Sequence, residues 1–273
     1  MIRMLALTVV SASSALFASP AMAQERIPSH CIALAEGEAQ VVPVRFGAPL
    51  AADHVRLRYI DHATFLLETP GGLVAATDYT GYLGTTDLVP DVVTMNNAHD
   101  THWTATPDPA IPHVLRGWAD ANGPAYHALD LSEMLVRNVT TDVRSRFGDD
   151  SRGDGNSIFI FEVAGMCIGH LGHLHHVPDD AQFASIGRLD VVMVPVDGGY
   201  TMAASEMADV VRRLRSSVVI PMHWFSGASL ETFLVEMAGA FEVVRPEVSE
   251  IELSLDDLPG RPTILVLEPE YLP

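Results

Sequence analysis

The feature that most constrains this chain is a change of rhythm at Cys167. Before it, short apolar runs are broken by turn residues: Val55 to Ile60, Thr64 to Glu68 and Leu73 to Asp78, the last two divided by Pro70-Gly71-Gly72. That is the pattern of β-hairpins. Asp91 to Met95 follows Pro90 and gives way to the polar stretch Asn96 to Trp103, while Met134 to Val139 and Ser157 to Val163 flank a Gly/Asp-rich loop from Gly148 to Gly155. This loop is expected on the surface. After Cys167 the pattern becomes a strand into His170, a helix over Asp179 to Ile186, a strand from Asp190 to Pro195 and a helix from Ala203 to Leu214. A strand from Val218 to Met222, a helix from Ser229 to Ala238 and a closing strand at Thr263 to Leu267 complete it. Strands alternating with helices predict sheet layers covered by helices. No repeat, low-complexity tract or Pro/Ser linker interrupts residues 24–273, so one α/β domain with two sheets is expected.

Residues 1–23 read as an export signal, with Arg3 as the positive start, an apolar stretch from Met4 to Ala18 and a small-x-small cleavage site at Ala21-Met22-Ala23. The mature chain is then expected to begin at Gln24, in the periplasm or outside the cell. Nothing after it approaches the roughly 20 apolar residues of a membrane-spanning helix. A net charge of −19 would repel nucleic acid and anionic membrane surfaces, so neither is expected as a partner. Oligomeric state is not legible. All 16 basic residues are arginines, which excludes lysine Schiff-base chemistry and a phosphate-loop lysine. Cys31 and Cys167 would be free to pair in an oxidising compartment, or Cys167 is a small core residue in the run Val163 to Ile168.

The histidines follow strands. His99 and His102 come after the strand ending at Met95; His170, His173, His175 and His176 after the strand through Cys167; His223 after Val218 to Met222. Strand ends in α/β sheets converge on one rim, where ligands and metals bind. A metal centre needs several neutral imidazoles on rigid elements, and His-x-x-His turns two rings toward one point. His30, His54, His113 and His127 lack such placement and read as surface or core rings.

The run Tyr59-Ile60-Asp61-His62-Ala63-Thr64-Phe65-Leu66-Leu67-Glu68-Thr69-Pro70-Gly71-Gly72 resembles the opening of the metallo-β-lactamase-fold hydrolases, most like the ascorbate-lactonase-type proteins. Thr77-Asp78-Tyr79 is similar to the family's Ile-Asp-Pro strand end. The family's His-x-His-x-Asp-His motif falls on Asn97 to His102. Its His-Leu-Gly-Asp segment falls on His170-Leu171-Gly172-His173, its Pro-x-Gly-Gly-x-Thr-Met segment on Pro195 to Met202, and its Pro-Met-His segment on Pro221-Met222-His223.

This resemblance implies a four-layer αββα sandwich and a metal-activated water that attacks an ester, lactone, phosphoester or amide. It implies His99, His102, His170 and His223 as metal ligands, with His173 standing where the family has a bridging aspartate. Asn97 and Thr101 replace two other ligands of the motif, so one firmly held zinc ion is expected in preference to two. A three-histidine zinc with an open position suffices for hydrolysis. Asp197 and Asp100 are candidate general bases. Asp78 is either an orienting partner of a ligand ring or a turn former. His62 and Tyr200 are candidates for contact with substrate, and either side chain also fits a packing role. The alternative function is a non-catalytic exported protein that binds a metal or small ligand on the same fold.

Overall fold

The computed structural model describes residues 29–31, 48–145 and 151–273. The expected export signal and its cleavage point lie outside the described residues. The elements in chain order are β1 (His54–Asp61), β2 (Thr64–Glu68), β3 (Val74–Ala76), β4 (Val92–Met95), β5 (His113–Arg116), β6 (Ala128–Asp130), β7 (Met134–Arg144), β8 (Ser151–Val163) and β9 (Met166–His170). There follow α1 (Asp180–Ile186), β10 (Val191–Pro195), α2 (Ala204–Leu214), β11 (Val218–Met222), α3 (Gly227–Met237), β12 (Glu242–Val244), β13 (Glu250–Ser254) and β14 (Thr263–Leu265).

These strands make two sheets, a six-stranded one in the order β13-β1-β2-β3-β4-β5 and an eight-stranded one in the order β12-β14-β11-β10-β9-β8-β7-β6. The central strands β9, β10, β11 and β14 pair in parallel. Val191 to Pro195 and Val218 to Met222 are buried throughout, as strands covered on both faces must be. The sheets pack face to face through Leu57, Phe65, Phe159, Phe161, Ile168 and Met193. Each such side chain contributes about 1.5–3 kcal/mol when fully withdrawn from water.

The two outer faces differ. The helices α1 to α3 cover the eight-stranded sheet, where Met207, Val211 and Phe233 meet Val192 and Val219. On the six-stranded sheet, Ile60, Leu66 and Val93 are covered by Tyr79, Leu83, Ile111 and Trp103 from the segments around β4, with no helix there among the described residues. The two-sheet sandwich is as expected, but its second outer layer is made of loops.

Arg56 in β1 is fully buried, and its register places Glu68 and Glu252 on either side of it. Its guanidinium donates to those carboxylates at 2.6 and 2.5 Å, so the charge that burial would penalise is matched across three strands. The Gly/Asp-rich loop is shorter than expected: β8 already begins at Ser151. Cys31 and Cys167 form a disulfide with Cα atoms 5.7 Å apart, so both sequence alternatives hold together, since Cys167 is also fully buried. Beside it Glu162 accepts from Arg137 at 2.7 Å, from the Ser29 hydroxyl at 2.5 Å and from the His30 amide at 2.8 Å. Arg137 then reaches the carbonyls of Ser185 and Ile186, supplying the cation that the C-terminus of α1 lacks in its own last turn.

Candidate metal centre

His62, His102 and His223 bring one nitrogen each within 4.8 Å of one another. They come from three places: the turn between β1 and β2, the loop after β4, and the residue after β11. His62 and His223 have φ of 47° and 58°, and Asp78, which lies behind His102, has φ of 41°. Left-handed backbone at a residue with a side chain costs about 1–3 kcal/mol and persists where the surroundings fix it. Here the His223 amide donates to the His62 carbonyl at 2.8 Å, which ties the two turns together.

Carboxylates behind the rings decide which nitrogen faces the centre. Asp78, fully buried, lies 2.6 Å from Nδ1 of His102 and also accepts from the Asn96 amide at 2.7 Å. Nδ1 of His223 lies 2.9 Å from Asp197, an ion-pair distance set off the ideal hydrogen-bond direction. With Nδ1–H turned to the carboxylates, the Nε2 lone pairs of His102 and His223 face each other at 3.1 Å. Two lone pairs at that distance repel unless a proton or a metal ion lies between them. Nε2 of His62 is buried with no hydrogen-bond partner. Zinc–nitrogen bonds of about 2.0–2.1 Å in a tetrahedral site put adjacent nitrogens about 3.3–3.4 Å apart, so the trio fits a metal ion of this kind. Carboxylate–histidine–metal chains are the common way such rings are held.

Burial first, and then the neighbouring His223 and His102, push the His62 ring down to about 3. Burial and the rings of His223 and His99 likewise hold His102 well below its ordinary value. Both rings are therefore neutral at pH 7, the form that ligates. Burial pushes the Asp78 carboxyl up, to about 7. At Asp197 burial works in the same direction, but hydrogen bonds from His223, Thr201 and Gly199 outweigh it and keep the carboxylate well below the usual range.

A cavity of about 580 Å³ opens beside the trio, bordered by Asn97, His99, Thr101, His173, His175 and His223 together with Arg144, Arg152, Tyr200 and Phe225. His99 lies at the edge, its Nδ1 3.1 Å from the Thr101 hydroxyl and its ring stacked on His173. Nδ1 of His173 is 2.7 Å from Nε2 of His175. Tyr200 and Phe225 are 71% and 63% exposed and meet edge to face, which makes an aromatic lip.

Other residues expected at the site are held by other partners or lie away from the cavity. His170 is placed at the end of β9 but does not join the trio, because both its ring nitrogens are engaged. Nε2 donates to the Ala63 carbonyl at 2.7 Å, and Nδ1 accepts from the Gly172 amide at 3.1 Å beside the Asn96 amide group. Gly172 is required for that turn: its φ is 61°, and a Cβ would lie 2.5 Å from Asn96 and 2.6 Å from Asn156. Asp197 does not suit a general base, since Gly199, Tyr200 and Thr201 amides, the Thr201 hydroxyl and His223 already occupy its oxygens. Asp100 is exposed and does not border the cavity. His62, expected as a substrate contact or a packing residue, stands inside the trio. Its signal was available: it occupies a two-residue turn between two strands, where a positive φ is needed. Asp78 takes the orienting role.

Comparison with known proteins places these observations. The model of a β-lactamase superfamily domain matches residues 56–223. A UPF0173 metal-dependent hydrolase of Methanospirillum hungatei is 23% identical over 232 residues, covering 79% of this chain and 96% of its own. A shorter match, 36% identical over 103 residues, joins 37% of this chain to 45% of a UPF0173 metal-dependent hydrolase of Pyrococcus furiosus. Among solved structures, a Thermotoga maritima protein assigned to the Zn-dependent hydrolases of the metallo-β-lactamase superfamily has a TM-score of 0.56 at 27% identity, covering 78% of this chain and 98% of that one. A family model matched over more than half of the chain, on a two-sheet fold shared with such a neighbour, makes this protein a member of the metallo-β-lactamase superfamily and a metal-dependent hydrolase.

Proposed function

We propose that this is an exported zinc hydrolase that acts on a small ester, lactone, phosphoester or amide with one ion held by His62, His102 and His223. The observation that carries this reading is the pair of carboxylate-backed Nε2 atoms facing each other at 3.1 Å, with the partnerless Nε2 of His62 beside them. When bound, zinc with an open position supplies a water nucleophile near neutral pH and polarises the substrate oxygen. The protein's own part is to keep His62 and His102 neutral, to aim the three rings, and to shape the cavity beside them. Asp78 and Asp197 orient His102 and His223. Among the described residues two arginines, Arg144 and Arg152, border the cavity and no carboxylate does, which supports a substrate that carries negative charge. Tyr200 and Phe225 supply an apolar surface for its remainder. The Cys31–Cys167 disulfide supports export, because such bonds persist in oxidising compartments.

Elemental analysis of the purified protein, followed by a hydrolysis screen before and after chelation, tests this. One zinc per chain and turnover that is lost on chelation and restored by zinc are expected. Full metal occupancy in a His62→Ala, His223→Ala double variant would show that the ion sits elsewhere, and bound zinc with no turnover across the four substrate classes would leave a binding protein.

A further inference from the structure

His173 and His175 border the same cavity outside the trio. We infer that His173 is a hydrogen-bond donor to the substrate and not a metal ligand, its proton fixed on Nε2 by a chain of hydrogen bonds that starts at the backbone of Arg144. The inference rests on the hydrolase reading above and assigns this residue a role within it.

The chain has one direction. The backbone N–H of Arg144 points at Nδ1 of His175, 2.7 Å away, and an amide can only donate. Nδ1 of His175 therefore keeps its lone pair, and the proton of that ring sits on Nε2. Nε2 of His175 is 2.7 Å from Nδ1 of His173, so it donates there. Nδ1 of His173 in turn must accept, which leaves the only proton of its ring on Nε2. A nitrogen that carries a proton has no lone pair for a metal ion.

The start of the chain is anchored. The guanidinium of Arg144 donates to the carbonyls of Gly199, Tyr200 and Thr201 at 2.9, 3.0 and 2.6 Å, which fixes the end of β7 against the loop that carries Asp197. The His173 backbone amide is held by Asn156 at 2.8 Å. The His173 ring stands edge-on to His102 and His223, with centroid distances of 4.6 and 5.1 Å. Nε2–H is thus the polar atom that His173 offers to the cavity next to the trio. A donor there meets the oxygen of a carbonyl or phosphoryl group as it gains negative charge under attack, which is where a fixed hydrogen bond acts most strongly. No bond to His173 forms or breaks, and its proton stays on Nε2. His175 and the Arg144 amide are positioning groups.

The test uses the whole protein labelled with ¹⁵N at histidine and loaded with zinc. Long-range ¹H–¹⁵N spectra should show His173 and His175 as Nε2–H tautomers, with metal-shifted nitrogens on His62, His102 and His223. His173→Ala should keep zinc affinity within about threefold while kcat for 4-nitrophenyl acetate drops by about 10²–10³-fold, the loss typical of a removed oxyanion donor. His173→Gln, which restores an N–H, should recover at least about tenfold of that loss if the donor is what matters. His175→Phe should lower kcat and turn the His173 signals into a mixture of tautomers. A metal-shifted Nε2 on His173, an Nδ1–H tautomer in the wild type, or a parallel loss of zinc affinity in both His173 variants would each overturn the assignment. Zinc bound without turnover across the four substrate classes would sink the hydrolase reading, whereas the tautomer spectrum still decides the protonation of His173.

Discussion

Strand β9 joins two polar clusters of opposite character. At its start, Cys167 is bonded to Cys31, its amide donates to Asp190 at 2.8 Å, and the paired residue Glu162 is saturated by Arg137, Ser29 and His30. Beyond its end, across the sheet, the rings of His62, His102 and His223 face one another with acceptor nitrogens left open. Both clusters are buried and both are built from groups that are costly to bury. The first pairs its carboxylates with arginines of the protein itself and so serves stability. The second leaves lone pairs that only something from outside can satisfy, and so serves function. His170 shows the boundary, since it lies on the functional side in sequence but is wired like the stabilising side.

The comparison can be broken at the disulfide first. Cys31→Ser with Cys167→Ser opens a loop of 136 residues, which should cost about 5 kcal/mol by loop entropy and about 2–5 kcal/mol by analogy with other native bridges. Urea unfolding should report that loss while zinc affinity of the folded protein is unchanged. An equal fall in zinc affinity would show that the two clusters are not separate.

Next in size is His223→Ala. If the roughly 10–16 kcal/mol of a four-ligand zinc site divides evenly, one ligand is worth about 3–4 kcal/mol, or about 10²–10³-fold in affinity. His170→Ala should behave oppositely: it strands the Gly172 amide and the Ala63 carbonyl, lowering stability by about 1–3 kcal/mol with zinc stoichiometry intact. Competitive zinc titration of the two variants checks this, and a metal loss in His170→Ala that matches His223→Ala would restore His170 as a ligand.

Smaller still is Asp197→Asn, which keeps the shape but removes the charge behind His223. Metal affinity should fall by about 10–100-fold, the usual effect of changing the partner of a ligating histidine. Zinc titration that gives the wild-type constant would mean that the backbone alone holds the ring.

The smallest effect is in the acid range at Glu162. Burial alone would raise its pKa, but the hydrogen bonds from Arg137, Ser29 and His30 prevail and hold the carboxylate below its ordinary value of 4.5. A lowered folded-state value means that its stabilisation is complete above about pH 4.5 and is lost as the pH falls through the folded-state pKa. The stability gap between wild type and Glu162→Gln should therefore be constant from pH 7 to about 5 and shrink below it. A gap that stays constant down to pH 3 would show that the Glu162 charge is not what matters.

Much of this was legible from residue pattern. Thr64 to Glu68 and Val218 to Met222 are strands with the expected bounds, and α1 starts after Asp179, whose side chain caps it with Gln182. Strands β5, β6 and β12 were not, because they are three or four residues long and lie at sheet edges. Strand β13 did carry a signal: Ile251 and Leu253 alternate with glutamates, and Glu250 and Glu252 meet Arg58 and Arg56. Histidine placement at strand ends pointed to one rim, where the structure brings His102 and His223 together with His62.

Residue pattern carried the longer strands and the helices, the family and the set of histidines that could meet, because each depends on local periodicity or on residue identity at a motif position. Only the tertiary structure decided which of those histidines are open. Whether an imidazole can ligate depends on which nitrogen keeps a lone pair, and that depends on the groups that folding brings to its ring. For His170 they are Ala63 and Gly172, for His102 it is Asp78, for His223 Asp197, and for His173 the amide of Arg144 acting through His175. A ring's chemistry is set by its hydrogen-bond partners, and those partners are chosen by folding.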